Sequence, residues 1–381
     1  MARSVCVDGL FLHPHHRSVG ISRYLFNLLR EMERIESPVG ACRISVLVPP
    51  LTAVNGSGLC QRPDFELIPC PAMRLRRLWR LGLLMPFARQ AGADALFLPS
   101  PVPIYLKPRR LAVTMHDIIP ILFRDEFRSF YGRFLRYSYL SSLHNADLIL
   151  TDSEYSKSDL VSKCGIPADR IVVAHLGFDS DLFNAQPLSL PHRQAVLARY
   201  GIEQPYLLHV GSVEPRKNLV RLVHAYRLLI DRRKDFSLRL VLCGRTSAGS
   251  SEILRDISAA GRPGRVIVAG AVPDHDLAVL YRAAAAYAMP SLYEGFGLPL
   301  LEAMASGVPV MSSNASSLPE IASDAALYFD PESVEEMSAA MERLLSDSAL
   351  REQLVARGLA RARQFSWEAC ARATLAALKS L

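Results

Sequence analysis

Short apolar runs alternate along this chain with longer amphipathic stretches, and the rhythm runs twice. Ser4 to Val7, Ile44 to Val48, Ala95 to Leu98, Leu111 to Met115, Leu148 to Thr151 and Ile171 to Ala174 read as strands, with helical periodicity between several of them, notably over Gly20 to Glu33 and Phe130 to Asn145. Such alternation is the βαβ pattern of an α/β, doubly wound parallel sheet. Gly177 to Tyr200 breaks it: the stretch carries Pro187 and Pro191, shows no clear strand, and is expected to be a linker. The rhythm restarts with strands at Tyr206 to Val210, Leu238 to Leu242, Val266 to Ala269, Ala286 to Met289, Val308 to Met311 and Ala326 to Phe329. Helices fit Asn218 to Arg232, Asp274 to Ala284, Leu298 to Ser306, Val334 to Ser346 and a final stretch from about Ser366 to Leu381. At 381 residues the chain exceeds what one core ordinarily serves. Two Rossmann-like domains facing each other across a cleft are expected, 1–190 and 191–365.

Within the second half, Ala286 to Met289 feeds a glycine-rich turn and then a helix. Glu294 and Glu302 stand eight positions apart around Gly295, Phe296, Gly297 and Leu298. Pro299 suits a first helical turn, where its missing N–H is not needed. Gly307 suits the left-handed residue that ends a helix. A strand, a glycine turn and a helix N-terminus make an anion site, because unpaired N–H groups and the helix dipole point at the ligand. Gly295 and Gly297 remove side chains that would block its approach.

The segment from His209 to Leu219 sits where the first strand of the second half meets its first helix. Gly211 and Ser212 are followed by adjacent Arg216 and Lys217, with Asn218 as a candidate N-cap. Two cations beside a helix N-terminus suit a pyrophosphate; a solvated basic turn is the bland alternative.

Composition narrows the partners. Forty-four Lys and Arg against 37 Asp and Glu leave a net charge of +7, which favours anionic partners, although Arg-rich soluble enzymes are common. No nucleic-acid-binding module is recognisable, so a nucleic-acid role is disfavoured. Seven scattered cysteines form no C-x-x-C pair and read as free thiols in a reducing compartment. His13, His15 and His16 are interrupted by Pro14 and have no carboxylate or thiol at matching spacing, so no metal site is expected. No signal peptide and no run long enough to span a bilayer is evident, so a cytoplasmic or peripherally attached protein is expected. Arg74, Arg76, Arg77, Arg80 and Arg89, with Leu75, Leu78, Trp79 and Leu83 near helical spacing, suggest that 74–89 lies on the inner, anionic membrane face. The alternative is a surface helix whose apolar stripe meets the core. His116 follows a strand, with Asp117 beside it, at the end of the sheet where ligands bind.

These pieces together resemble the retaining glycosyltransferases of family 4, which have the GT-B fold. The resemblance rests on Gly211 to Asn218, the Glu-x7-Glu element Glu294 to Glu302 with its glycines, Asn314 to Glu320, Leu280 to Ala284, and Thr151-Asp152-Ser153-Glu154-Tyr155-Ser156-Lys157. It implies that the final helix crosses back to the first domain. Arg216 and Lys217 are then expected to neutralise the donor diphosphate without a metal. Glu294 would bind hydroxyls of the donor sugar, backbone N–H groups of Phe296, Gly297 and Leu298 the sugar or phosphate, and Glu302 the ribose diol. His116 would lie near the reacting sugar carbon, and Gly20 would open the first helix toward the donor phosphate. Ser212 departs from the pattern, since many members carry Arg after the glycine; Arg216 is the candidate replacement. The expected reaction moves a hexose from a nucleotide-diphosphate sugar to a glycan or lipid-linked acceptor in cell-surface polysaccharide synthesis, with GDP-mannose as the first expectation for the donor and no cofactor. The alternatives are another GT-B nucleotide-sugar enzyme, an epimerase or phosphorylase, and a non-catalytic binding subunit.

Overall fold

The computed structural model describes residues 4–12, 20–35, 42–48, 64–69, 92–235, 237–246, 250–261 and 264–381. The chain divides into two compact units, Met1–Gly177 with Ser366–Leu381, and Phe178–Phe365. Each unit is built on one parallel sheet.

In the first unit the strands are β1 (Ser4–Asp8), β2 (Arg43–Val48), β3 (Phe65–Pro69), β4 (Ala95–Leu98), β5 (Leu111–Thr114), β6 (Leu148–Thr151) and β7 (Ile171–Val173). They lie in the order β3-β2-β1-β4-β5-β6-β7. The second unit holds β8 (Tyr206–Val210), β9 (Arg239–Cys243), β10 (Val266–Gly270), β11 (Ala286–Met289), β12 (Val310–Ser313) and β13 (Ala326–Phe329), in the order β10-β9-β8-β11-β12-β13. Central strands such as β4, β6 and β11 are buried along their whole length, which is why they read as unbroken apolar runs. Each strand order reverses once, at β1/β4 and at β8/β11. Open α/β sheets bind ligands at the carboxyl ends of the strands flanking such a reversal.

The C-terminal helix Trp367–Ser380 belongs to the first unit. It starts at Ser366, whose hydroxyl accepts from the Ala369 N–H. Its Trp367 ring lies 6.3 Å from that of Tyr24 on the helix Gly20–Arg34. The Cys370 thiol points at the Ala174 carbonyl, 3.8 Å away. Gly177 is where two stretches of chain touch: a Cβ there would sit 2.1 Å from the Trp367 nitrogen.

Several features differ from the sequence reading, among them the helices Ser250–Ala260 and Ser348–Ala362, which it does not include. The break between the units falls after Gly177 and not at 190. Residues 178–189 are tied to the second unit because Phe183 is buried edge-on against Tyr281, at 5.8 Å, and the Gln186 carbonyl accepts from Arg282. The expected linker also contains a helix, Leu190–Arg199, whose Arg199 and Tyr200 bind the buried Asp276 at 2.5 and 2.7 Å. Finally, β3 escaped notice: it is an edge strand in which only Phe65 is fully buried, so it lacks the apolar run that marks its neighbours. The basic segment 74–89 lies outside the described residues, as do His13, His15 and His16.

Candidate active site

The strand order of the second sheet explains why segments some eighty residues apart meet. β8 and β11 are neighbours, paired through Ala286↔Leu207 and Tyr287↔Leu208. The turn after β8 carries Arg216 and Lys217 in a single 3-10 turn, and the turn after β11 carries Glu294. Backbone ties stitch the two turns together. The Leu292 N–H donates to the Arg216 carbonyl at 2.8 Å. The Asn218 amide donates to the carbonyls of Pro290 and Pro331 at 3.0 and 2.7 Å. Asn218 does occupy the N-cap position of the helix Leu219–Arg232, but at φ 60° and without capping it through its side chain. Its amide nitrogen joins the turns, while its Oδ1, the atom a cap bond would use, accepts from the Arg221 side chain at 3.1 Å.

At the meeting point Lys217 Nζ donates to Glu294 Oε1 at 2.5 Å. Arg216 donates to Glu294 Oε2 at 3.2 Å and to Glu214 at 2.9 Å. Lys217 and Glu294 are buried, and Arg216 nearly so. Burial works against the Glu294 carboxylate, yet the two cations override it and hold its pKa down at about 2. Burial lowers the Lys217 pKa, and the Glu294 charge opposes that shift. The three groups are therefore a charge cluster removed from bulk water, where electrostatic interactions are strong. Ser212 stands half-buried just beyond β8.

The floor of the same site is closely fitted. Gly244 approaches Gly211 so nearly that a Cβ at 244 would lie 1.7 Å from the Gly211 oxygen. Next to Gly211, His209 donates from Nδ1 to the Ala288 carbonyl at 3.0 Å, and burial presses its pKa to about 4. It is thus neutral near pH 7, with Nε2 buried and unpartnered. Gly297 has φ 101° and serves as the left-handed residue ahead of the helix Leu298–Ala305; a Cβ there would also press to 2.8 Å from the Leu318 side chain. The turn is clamped from the next segment. The Glu294 N–H donates to Ser316 Oγ at 2.9 Å, and the Ser317 hydroxyl reaches the carbonyls of Glu294 and Phe296 at 3.0 and 3.1 Å. Ser316 takes φ 55°, a strained value for a residue other than glycine, to make that contact. Phe296 is buried against Phe365, edge to face at 5.8 Å. Glu302 is buried in the helix, and the Tyr281 hydroxyl, shared with the Pro299 carbonyl, donates to Glu302 Oε2 at 3.2 Å. Burial and the Glu302 charge raise the Tyr281 pKa well above its usual value, so the phenol stays a donor.

In the first unit His116 follows β5, and its Nδ1 lies 2.7 Å from Asp152 Oδ2, a residue just past β6. Tyr24 meets the imidazole edge-on at 4.6 Å and ties its own hydroxyl to Thr114 at 3.0 Å. His116 Nε2 is buried without a partner. Burial disfavours the imidazolium, but the Asp152 charge and hydrogen bond outweigh it, and the pKa is raised. Asp117 caps the turn that follows, accepting from the Ile119 N–H at 2.9 Å. Replacing Asp152 by Asn removes the largest contributions opposing burial and leaves only the Asp117 charge and the Pro99 carbonyl on that side, so the His116 pKa should fall. Titration of the His116 ring by NMR in the wild type and Asp152→Asn checks this. A midpoint that does not move would contradict it. In the wild type the stabilisation from charging His116 is lost as pH rises through its raised value, and burial also raises the Asp152 pKa, so the pair is lost again at low pH when that carboxylate protonates.

Gly20 is the first residue of its helix, is exposed, and has open space where a Cβ would go. The structure thus joins Arg216, Lys217 and Glu294 directly, and mounts Gly211, Ser212, Gly295, Phe296, Gly297, Leu298 and Glu302 on the two turns and the helix they lead into. Asp152, Tyr281, Ser316 and Ser317 were not singled out as site residues from the sequence. All four lie in stretches that carry the family resemblance, which was the available signal. Among the described residues no group of three or more His, Cys, Asp or Glu side chains could hold a metal ion.

Known protein families match both halves of the chain. Residues 19–182 match the family described as Glycosyltransferase Family 4, and residues 197–361 match Glycosyl transferases group 1. The O-antigen chain mannosyltransferase B of Escherichia coli is 41% identical over 285 residues, covering 73% of each chain. A serotype-specific mannosyltransferase, WbdA of Escherichia coli, is 30% identical over 267 residues, which are 68% of this chain and 32% of that protein; the chain spans about a third of its length. Among solved structures, Anabaena Alr3699/HepE in complex with UDP-glucose superposes with a TM-score of 0.73 at 18% identity over 100% of both chains. The glycosyltransferase WaaG gives 0.69 at 16% identity over 98% of each. The fold is GT-B, and the chain belongs to glycosyltransferase family 4.

Proposed function

We propose that this glycosyltransferase moves a mannosyl residue from GDP-mannose to a glycan or lipid-linked acceptor, retaining the anomeric configuration and needing no metal. The observation that carries the reading is the buried Lys217–Glu294 pair with Arg216 beside it at the switch point of the second sheet. Mannose as the sugar is supported by the two relatives above, both mannosyltransferases.

The mechanism follows from exchange of partners. In the free enzyme both cations are paired with Glu294, and Arg216 is shared with Glu214. A diphosphate entering at the N-terminus of the helix Leu298–Ala305 competes for those cations. Once Lys217 and Arg216 turn to the phosphates, Glu294 is left to accept hydrogen bonds from hydroxyls of the sugar. As the sugar–oxygen bond breaks, negative charge accumulates on the leaving diphosphate, and the two cations stabilise it where water does not screen them. This does the work otherwise given to a divalent ion. Glu302, oriented by Tyr281, holds the ribose diol. The leaving phosphate takes the acceptor's proton.

A thermal-shift panel with UDP, GDP, ADP and dTDP tests the donor class. A ligand at a hundred times its Kd adds about 2.7 kcal/mol of stability. GDP should give the largest rise in Tm, and only GDP-mannose should support turnover. A larger rise with another diphosphate would reassign the base, and no rise with any would contradict the site.

A further inference from the structure

One buried polar group beside the cation turn has no part in the exchange of partners. His209 lies within β8, opposite Leu242 of β9, and is fully buried. A carbonyl oxygen only accepts, so the bond to Ala288 puts the ring proton on Nδ1 and leaves a lone pair on Nε2. A second proton, on Nε2, is disfavoured by burial and by the nearby Lys217 charge, and the pKa is held at about 4. Nε2 is therefore a fixed, uncharged acceptor. Buried acceptors are ordinarily paired, and this one has no partner.

Gly211 shows what lies near that lone pair. A Cβ there would sit 3.0 Å from His209 Nε2 and 3.5 Å from Lys217 Cε. Both atoms border the gap that glycine leaves open, and points 3.0 and 3.5 Å from a common centre are at most 6.5 Å apart. The Lys217 ammonium has three N–H donors and gives one to Glu294 Oε1. It ends a flexible stem, so Nζ can turn from Glu294 toward the imidazole. A second carboxylate across the gap would hold the ammonium back from a phosphate. A neutral imidazole fixes its direction without competing for its charge.

We propose that His209 is a positioning residue: its Nε2 accepts a hydrogen bond from the Lys217 ammonium once that group has left Glu294, and aims it at the second phosphate of the donor. This role rests on the exchange of partners proposed above. It gives the ammonium two successive acceptors on protein, Glu294 in the free enzyme and His209 in the complex. The lysine then stays ordered while its charge is transferred to the diphosphate, which is the preorganisation that charge stabilisation needs.

Two amides separate the two ring nitrogens. Asn sets its side-chain nitrogen near the place of Nδ1, keeping the bond to Ala288 and leaving nothing at Nε2. Gln reaches the place of Nε2 with a carbonyl oxygen and gives up the bond to Ala288. Wild type, His209→Asn and His209→Gln are compared in Tm, in kcat with GDP-mannose, and in calorimetric affinity for GDP and GMP. His209→Asn should keep the wild-type Tm yet lose kcat at least about tenfold, the worth of one hydrogen bond to a charged group. Its preference for GDP over GMP should shrink by a similar factor, with GMP binding unchanged. His209→Gln should melt lower but keep most of the wild-type kcat. A histidine with only a structural role gives the opposite pattern, in which turnover follows Tm and Asn is the active variant; that result overturns the proposal. So does loss of kcat in both variants at wild-type Tm. If His209→Gln does not fold, His209→Asn decides alone through its kcat. A GDP preference that Lys217→Ala removes and His209→Asn leaves intact refutes the role of His209 and spares the donor site. A wild type with no preference for GDP over GMP refutes the exchange of partners itself.

Discussion

Lys217→Ala should lower kcat by about 10²–10³, the usual scale for removing one group that stabilises developing charge. The size of the effect follows from the position of the ammonium. It is buried, it is held 2.5 Å from Glu294, and it approaches the site from the turn after β8. Arg216 remains beside Glu294 in the variant, so the carboxylate keeps one cation and the protein should still fold. A buried pair broken on one side ordinarily costs about 3–5 kcal/mol, and the surviving arginine should reduce that figure. Comparison with Lys217→Met, which keeps the aliphatic stem, separates lost charge from lost volume. Near-full turnover of either variant at saturating donor would contradict the assigned role.

Glu294→Ala should impair turnover more than Glu302→Ala, because Glu294 is assigned to the reacting sugar and Glu302 to the ribose. Loss at Glu302 should appear chiefly as a higher KM for the donor, and loss at Glu294 chiefly as a lower kcat. Glu294 also sets a pH dependence. Its folded pKa of about 2 lies below the ordinary 4.5, so its contribution to stability is complete above 4.5 and is lost as pH falls toward 2. Glu294→Gln should remove that part of the acid sensitivity, seen as a flatter Tm profile between pH 4.5 and 2. At the same time it leaves Lys217 without a direct counter-charge and Arg216 with Glu214 alone, so its Tm near neutral pH should be below that of wild type. A larger kcat loss from Glu302→Ala than from Glu294→Ala would reverse the two assignments.

Much of this architecture was legible because buried parallel strands write themselves as unbroken apolar runs. β4, β6, β8, β11 and β13 fall where those runs lie. β3 did not, since an edge strand with one fully buried residue carries no such run. The helix Leu190–Arg199 was hidden by Pro191, which sits in its first turn where proline is tolerated. The cations and the two acids could be listed from the sequence, but their pairing could not. That Lys217 and Arg216 hold Glu294 depends on β8 and β11 being neighbours across a reversal of strand order, a long-range fact that no local pattern encodes. The same limit hid Asp152. Asp117 adjoins His116 in sequence, yet its carboxylate turns to the Ile119 N–H, while Asp152 arrives from the next strand of the sheet. Tyr281 likewise reads as a core aromatic until the helix Leu298–Ala305 brings Glu302 to its hydroxyl.

The central claim is that Lys217 and Arg216 leave Glu294 for the diphosphate of the donor. Calorimetric affinities for GDP and GMP, in wild type and Lys217→Ala, test it most directly. Wild type should bind GDP at least tenfold more tightly than GMP, and Lys217→Ala should bring the two affinities close together while leaving GMP nearly unchanged. Equal discrimination between GDP and GMP in both proteins would mean that this lysine never meets the second phosphate.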